Sequence, residues 1–149
     1  MKEKVVLTFH DYNGNITEET IWVVDLGNNK YKVDNIPFFA PNLSLGDIIS
    51  VEKDQSNLYF EDLLETSGHS TIQLIFFNSD SNKNQLIIQE LENIGCQWES
   101  MKGQPLYAID ISESIDYKIV KSILAIKAKH NILDYKEACL SKKHFAESK

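Results

Sequence analysis

The sequence predicts an α+β protein, with a small, strongly bent β-sheet or barrel over residues 1–66 packed on a β-α-β-β-α-β module over residues 67–141. Three observations carry this expectation. The first half of the 149-residue chain alternates apolar and polar residues in short runs separated by tight turns. The second half changes period, with apolar residues three and four apart in two long segments. No Pro/Gly/Ser-rich spacer divides the halves near Ser67-Gly68, so they are expected to pack as one rigid body.

The elements follow in order. VVLTFH sets Val5, Leu7 and Phe9 against Val6, Thr8 and His10, and the Asn13-Gly14-Asn15 turn leads into ITEETIWVV, where Ile21 and Val23 oppose Trp22 and Val24. LGNNK turns the chain into YKVDNI. The Pro37 to Pro41 loop then interrupts the sheet, because proline lacks an N–H donor and restrains the residue before it. LGDIISVEK and NLYFEDLLET form two more strands around a DQSN turn, and five short strands with tight turns suit a bent sheet or barrel. HSTIQLIFF is a strand. NSDSNKNQLIIQELENIG predicts a helix, capped by Ser79, Asp80 or Ser81, with Leu86, Ile87, Leu91 and Ile94 on its apolar side and Gly95 at its end. QWESMKGQPLYAIDIS reads as a hairpin. A second helix is expected from Ser112 or Ser114, with Glu113 and Asp116 in its first turn, Ile119, Val120, Ile123 and Leu124 as its apolar side, and Asn131 at its stop. ILDYKEACL closes as a strand, which makes the order that of a ferredoxin-like plait. Residues 142–149 are expected to fray.

Composition narrows the function classes. Hydrophobic residues are 42% and charged residues 25%, a globular balance. No apolar run approaches the roughly 20 residues that span a bilayer, and MKEKVVLTFHDY lacks a signal-peptide core, so a cytoplasmic protein without membrane contact is expected. Cys96 and Cys139 are the only cysteines and are expected to be reduced and mostly buried. Residues 1–70 carry 12 Asp/Glu against 5 Lys, whereas residues 71–149 carry 10 against 10, so the whole net charge of −7 lies in the first half. All fifteen basic residues are lysine. Arginine is the side chain best suited to bidentate phosphate and guanine recognition, so its absence, with the acidic balance, argues against nucleic acid.

The segments from Ile21 to Asp25, YKVDNIPFFAPNLSLGDIISVE, SGHSTIQLIFF at 67–77 and DYKEACLS at 134–141 together resemble a bacterial family catalogued as domain of unknown function 4265. DNIPFFA and SGHST are unusual words, about thirty residues apart here as in that family. The resemblance covers most of the chain and implies a stand-alone cytosolic bacterial protein with no assigned catalytic residues.

Two places attract a functional reading. The first is DNIPFFAPNLSLGD at 34–47. Its Phe38 and Phe39 either plug a core or stand as anchors for a partner, and Asp34 and Asn35 beside them can cap the turn or add polar contacts. The two rings are expected to split, with Phe39 as the plug and the other ring facing a cleft beside His69. The second is Ser67-Gly68-His69-Ser70-Thr71. A histidine among hydroxyls can act as a base, and Gly68 allows close backbone approach. Adjacent strand residues point to opposite faces, however, so binding or a plain module junction is favoured over catalysis.

The donors His10, His69, His130, His144, Cys96 and Cys139 show no paired metal-ligand spacing, no Gly-rich phosphate loop is present, and no cofactor is expected. Glu18-Glu19 and Glu61-Asp62 read as solvated faces. The expectation is a non-enzymatic protein-binding module, most concretely an immunity or antitoxin protein meeting a basic partner through its acidic half. A small-ligand regulatory domain is the alternative, and an enzyme using His69 stands third. The sequence leaves the oligomeric state open.

Overall fold

The computed structural model describes residues 1–149. The first five strands are β1 (Lys2–His10), β2 (Ile16–Gly27), β3 (Lys30–Val33), β4 (Ile48–Asp54) and β5 (Asn57–Glu65). They close into a barrel in the order β1-β2-β3-β4-β5. Neighbouring strands run antiparallel, and closure comes from a parallel pairing of Val6 with Tyr59. The turn between β2 and β3 holds Asn28 and Asn29 at φ 55° and 58°, the two left-handed residues that match hairpin twist. Alternation does what the sequence indicates: Val5, Leu7, Ile21, Val23, Tyr31, Val33, Ile49 and Val51 fill the barrel, and Ala40 and Leu43 of the 34–47 loop join them.

The second module is β6 (Ser70–Phe76), α1 (Ser81–Ile94), β7 (Gln97–Ser100), β8 (Leu106–Ile111), α2 (Tyr117–Lys129) and β9 (Leu133–Cys139). Its sheet order is β7-β8-β6-β9, all antiparallel, which is the ferredoxin-like plait. Both helices cover one face of the sheet, where Ile72, Leu74, Phe76, Ile109 and Ile111 meet Ile88, Leu91, Val120 and Leu124. Asp80 caps α1 by accepting from the N–H groups of Asn82 and Lys83, and Gly95 ends it at φ 117°.

Three expectations are corrected. Helix α2 starts at Tyr117, capped by Asp116, rather than at Ser112 or Ser114, because Ser112 to Ile115 form a turn closed by the Ile115 N–H on the Ser112 carbonyl. The buried stripe of α1 is Asn84, Ile87, Ile88 and Leu91, so Leu86 stands in solvent, and Ile119 of α2 does the same. Residues separated by 3, 4 and 7 share a face, and both leucine and isoleucine fall one position off it. The tail is a helix, α3 (Lys142–Glu147), and not a frayed end. Its His144 is fully buried: Nδ1 accepts from the Ser70 hydroxyl at 2.6 Å and Nε2 donates to the Ile115 carbonyl at 3.0 Å. The Ser70 oxygen in turn accepts from the Ser141 N–H. Glu147 accepts from the Tyr117 N–H, so α3 supplies a second cap to α2.

The modules meet through the 34–47 loop, which lies across the sheet face that the helices leave uncovered. The bonds are polar and numerous. Gln73 donates to the Pro37 and Ala40 carbonyls, Glu99 accepts from the Ile36 N–H, the Asn42 N–H donates to the Ala138 carbonyl, and the buried hydroxyls of Ser44 and Thr71 stand 2.8 Å apart. Asp47, also buried, accepts from the N–H groups of Ser44 and Ser67.

Candidate functional site

The loop answers its own question through its backbone. A single carboxylate, that of Glu19 on β2, accepts from three consecutive N–H groups: Phe38 at 2.7 Å, Phe39 at 3.0 Å and Ala40 at 2.9 Å. Charge-assisted bonds of this kind are roughly twice as strong as neutral ones. At the loop's start, the Asn35 side-chain oxygen accepts from the Trp22 N–H at 2.6 Å, while Asp34 pairs with Lys2 at 3.0 Å. Asp34 and Asn35 therefore tie the loop to the barrel.

With the main chain held this way, the plug is Ala40 and Leu43, and neither ring is core. Phe39, expected inside, is 44% exposed, and Phe38 is half-buried. The rings stand 6.4 Å apart and line one groove of about 500 Å³ with Tyr12, Ile75 and Leu106. Tyr12 is 104% exposed and Ile75 39%. Asp134 and Lys136 of β9 form a charged rim. The expected split, with one ring turned to a cleft beside His69, is thus replaced by two rings sharing a groove away from that histidine. Consecutive residues normally diverge, but here the turn bonded to Glu19 brings them to the same side.

The Ser67–Thr71 cluster separates into three roles. Ser67 is a junction residue whose hydroxyl donates to the Leu45 carbonyl and accepts from the His69 N–H. Ser70 and Thr71 are sealed, Ser70 on His144 and Thr71 on Ser44 and the Leu43 carbonyl. The Ser70–His144 pair has the atoms of a nucleophile and base, but with no exposed surface it works as a buried strut. His69 reaches an opening, which Ser67 and Gly68 also line. Its Nδ1 lies 2.9 Å from both carboxylate oxygens of Asp110 on β8, whose side chain is 2% exposed. Burial raises the Asp110 carboxyl above the usual range, while the hydrogen bond and charge of His69 act against that rise.

The opening beside His69 is a cleft of about 440 Å³ at the seam between the modules, walled by residues of both, among them Asp47, Leu63, Glu113, Cys139 and Lys142. Glycine suits position 68 through its backbone, whose φ is +87°, and the end of the Glu113 side chain lies where a Cβ would stand. Burial pushes the Cys139 thiol up, and that of Cys96 in the plait core up to about 12, so neither is a ready nucleophile. Asp110 and Tyr12 were not singled out by sequence reasoning, and Glu19, expected with Glu18 to be part of a solvated face, is instead half-buried with its carboxylate turned onto the loop amides. Each acts on a partner 19 or more residues away, and no local pattern marks such a pairing.

A closed barrel followed by a ferredoxin-like plait, joined by a loop that displays two aromatic rings, defines a two-module α+β protein. The chain belongs to the DUF4265 family, a domain of unknown function, whose model matches residues 19–135. It is similar over 95% of its length, at 28% identity and a TM-score of 0.83, to 96% of a chain whose crystal structure is described as that of a hypothetical protein from Neisseria gonorrhoeae. No curated protein matches it. No helix is long and apolar enough to cross a membrane.

Proposed function

We propose that this chain is a non-enzymatic protein-binding module of the bacterial cytoplasm, whose Phe38–Phe39 groove and acidic barrel together receive a basic protein. The carrying observation is that Glu19 fixes the loop by its backbone and so leaves the rings free for contact. A preformed aromatic anchor loses little conformational freedom on binding, and aromatic anchors with polar rims are typical hot spots. The occupant's charge follows from the barrel. Among its carboxylates only Asp34 is in an ion pair, and Glu18, Glu52, Asp54, Glu61, Asp62 and Glu65 are all exposed. Such a field speeds encounter with a basic surface and falls with salt. A basic toxin held inactive by its immunity protein is the concrete form of this reading.

The test is capture of partners from the native bacterium by wild type and by Phe39→Ala, followed by association kinetics with each recovered protein. A basic partner is expected whose association slows as salt rises and whose affinity falls by about 2 kcal/mol in the variant. Recovery only of partners indifferent to both Phe39→Ala and salt would sink the reading.

A further inference from the structure

The cleft beside His69 is independent of the aromatic groove and takes a different kind of occupant. Glu113, Lys142 and one ring nitrogen of His69 reach it without a protein partner, beside the Thr66 hydroxyl. His69 commits Nδ1 to Asp110, so its Nε2 edge is the one left for the opening. The Glu113 carboxylate, laid against Gly68 next to His69, makes no hydrogen bond or ion pair within the protein. Lys142, at the start of α3, makes none either, whereas its neighbour Lys143 is bound to the Ile115 carbonyl and to Glu147. The opening thus presents one carboxylate, one ammonium and an imidazole edge held in place by a buried acid.

That set selects by charge. A polyphosphate or nucleotide would face Glu113 and the buried Asp47 with a single uncommitted lysine and no arginine in the whole chain. A metal ion would need a third converging donor, and no group of three His, Cys, Asp or Glu side chains is placed to hold one. A purely apolar ligand would leave the polar groups unpaired. A ligand that carries both signs satisfies them: its ammonium on Glu113, its carboxylate on Lys142, and a donor or acceptor of its own on His69 Nε2. A volume of about 440 Å³ is within the range of small-molecule sites.

We propose that this inter-module cleft is a binding site for a small zwitterion of the α-amino acid class, gripped between Glu113 and Lys142 and oriented by the His69–Asp110 pair. The ligand would touch both modules, since Asp47 and Leu63 belong to the barrel side and Glu113 and Lys142 to the plait side. It binds the folded junction and therefore stabilises it.

The test is calorimetric titration and thermal denaturation of the full chain with each common α-amino acid. Short carboxylic acids lacking the ammonium and primary amines lacking the carboxylate are run alongside. At least one amino acid is expected to bind saturably and raise the melting temperature, with affinity lowered about tenfold or more by Glu113→Gln and by Lys142→Met. Both positions are on the surface, so the unliganded variants are expected to melt like the wild type. His69→Gln should weaken binding as well. If that variant does not fold, because Asp110 loses its partner, the two surface variants decide alone. Absence of binding by every amino acid at millimolar concentration would overturn the proposal. So would equal binding by the acids or amines, or affinities unchanged in the surface variants. None of these results bears on the aromatic groove, whose partner is tested separately.

Discussion

At the scale of single residues, Glu19 governs what the phenylalanines can do. Because three main-chain donors converge on its carboxylate, Phe39→Ala should change stability by no more than about 0.5–1 kcal/mol, as befits an exposed side chain away from special features. Glu19→Ala should cost about 2 kcal/mol or more, since it removes charge-assisted bonds and leaves loop N–H groups partly dry. Urea denaturation of the two variants gives the comparison, and the reverse ranking would mean that the rings hold the loop. The sequence showed that an aromatic loop existed but not which way it faced. Glu19 and Phe38 are nineteen residues apart, and the apolar word PFF has the same composition whether it plugs a core or lines a groove. The His69 site was legible in the same partial way. Adjacent strand positions diverge, so Ser70 could not serve His69, but the true partners, Asp110 and His144, lie 41 and 74 positions further along the chain.

At the scale of elements, the strands and the first helix were readable because each carries its own punctuation: Asn28-Asn29, Asp80 and Gly95 end or begin elements by local chemistry. Helix α3 was not. KKHFAESK is short and polar, and its order comes from tertiary bonds to Ser70, Ile115 and Tyr117. The Tyr117 N–H bond, followed by the Lys143 bond, lowers the Glu147 carboxyl below its ordinary value. A lowered carboxylate contributes stability that is fully present above its unfolded value and is lost as pH falls through the folded one. Docking of α3 should therefore hold at neutral pH and weaken only below the ordinary carboxylate range. Amide exchange at Tyr117 and across α3, measured down an acid series, checks this. In Glu147→Gln the acid-dependent loss should flatten, and an unchanged profile would assign it to another group.

At the scale of the whole molecule, the junction decides cooperativity. Two hydrophobic clusters, ten residues in the barrel and fifteen in the plait, are separate, and what joins them is largely hydrogen bonding by the 34–47 loop and Asp47. Buried polar groups cost free energy when unpaired, so opening the seam would strand Ser44, Asp47 and Thr71 together. A single cooperative transition is expected. The chain has its own reporters, since Trp22 sits on the barrel and Trp98 on the plait. Single-tryptophan variants, Trp98→Phe and Trp22→Phe, should give the same urea midpoint, and midpoints that separate would mean that the modules unfold independently. The absence of a spacer near Ser67 foretold close packing. It did not foretell that polar atoms would do the joining, because serine, threonine and asparagine in a loop look alike whether they face water or each other.

The three amides that rest on Glu19 separate shape from display. The loop's path is written in main-chain atoms, which every residue except proline possesses, so positions 38 and 39 can exchange one side chain for another while the path stays the same. The groove is in that sense a socket with interchangeable contents. Other side chains at 38 and 39, carried on the same barrel and the same glutamate, would present a different face to a different neighbour without the protein having to learn a new fold.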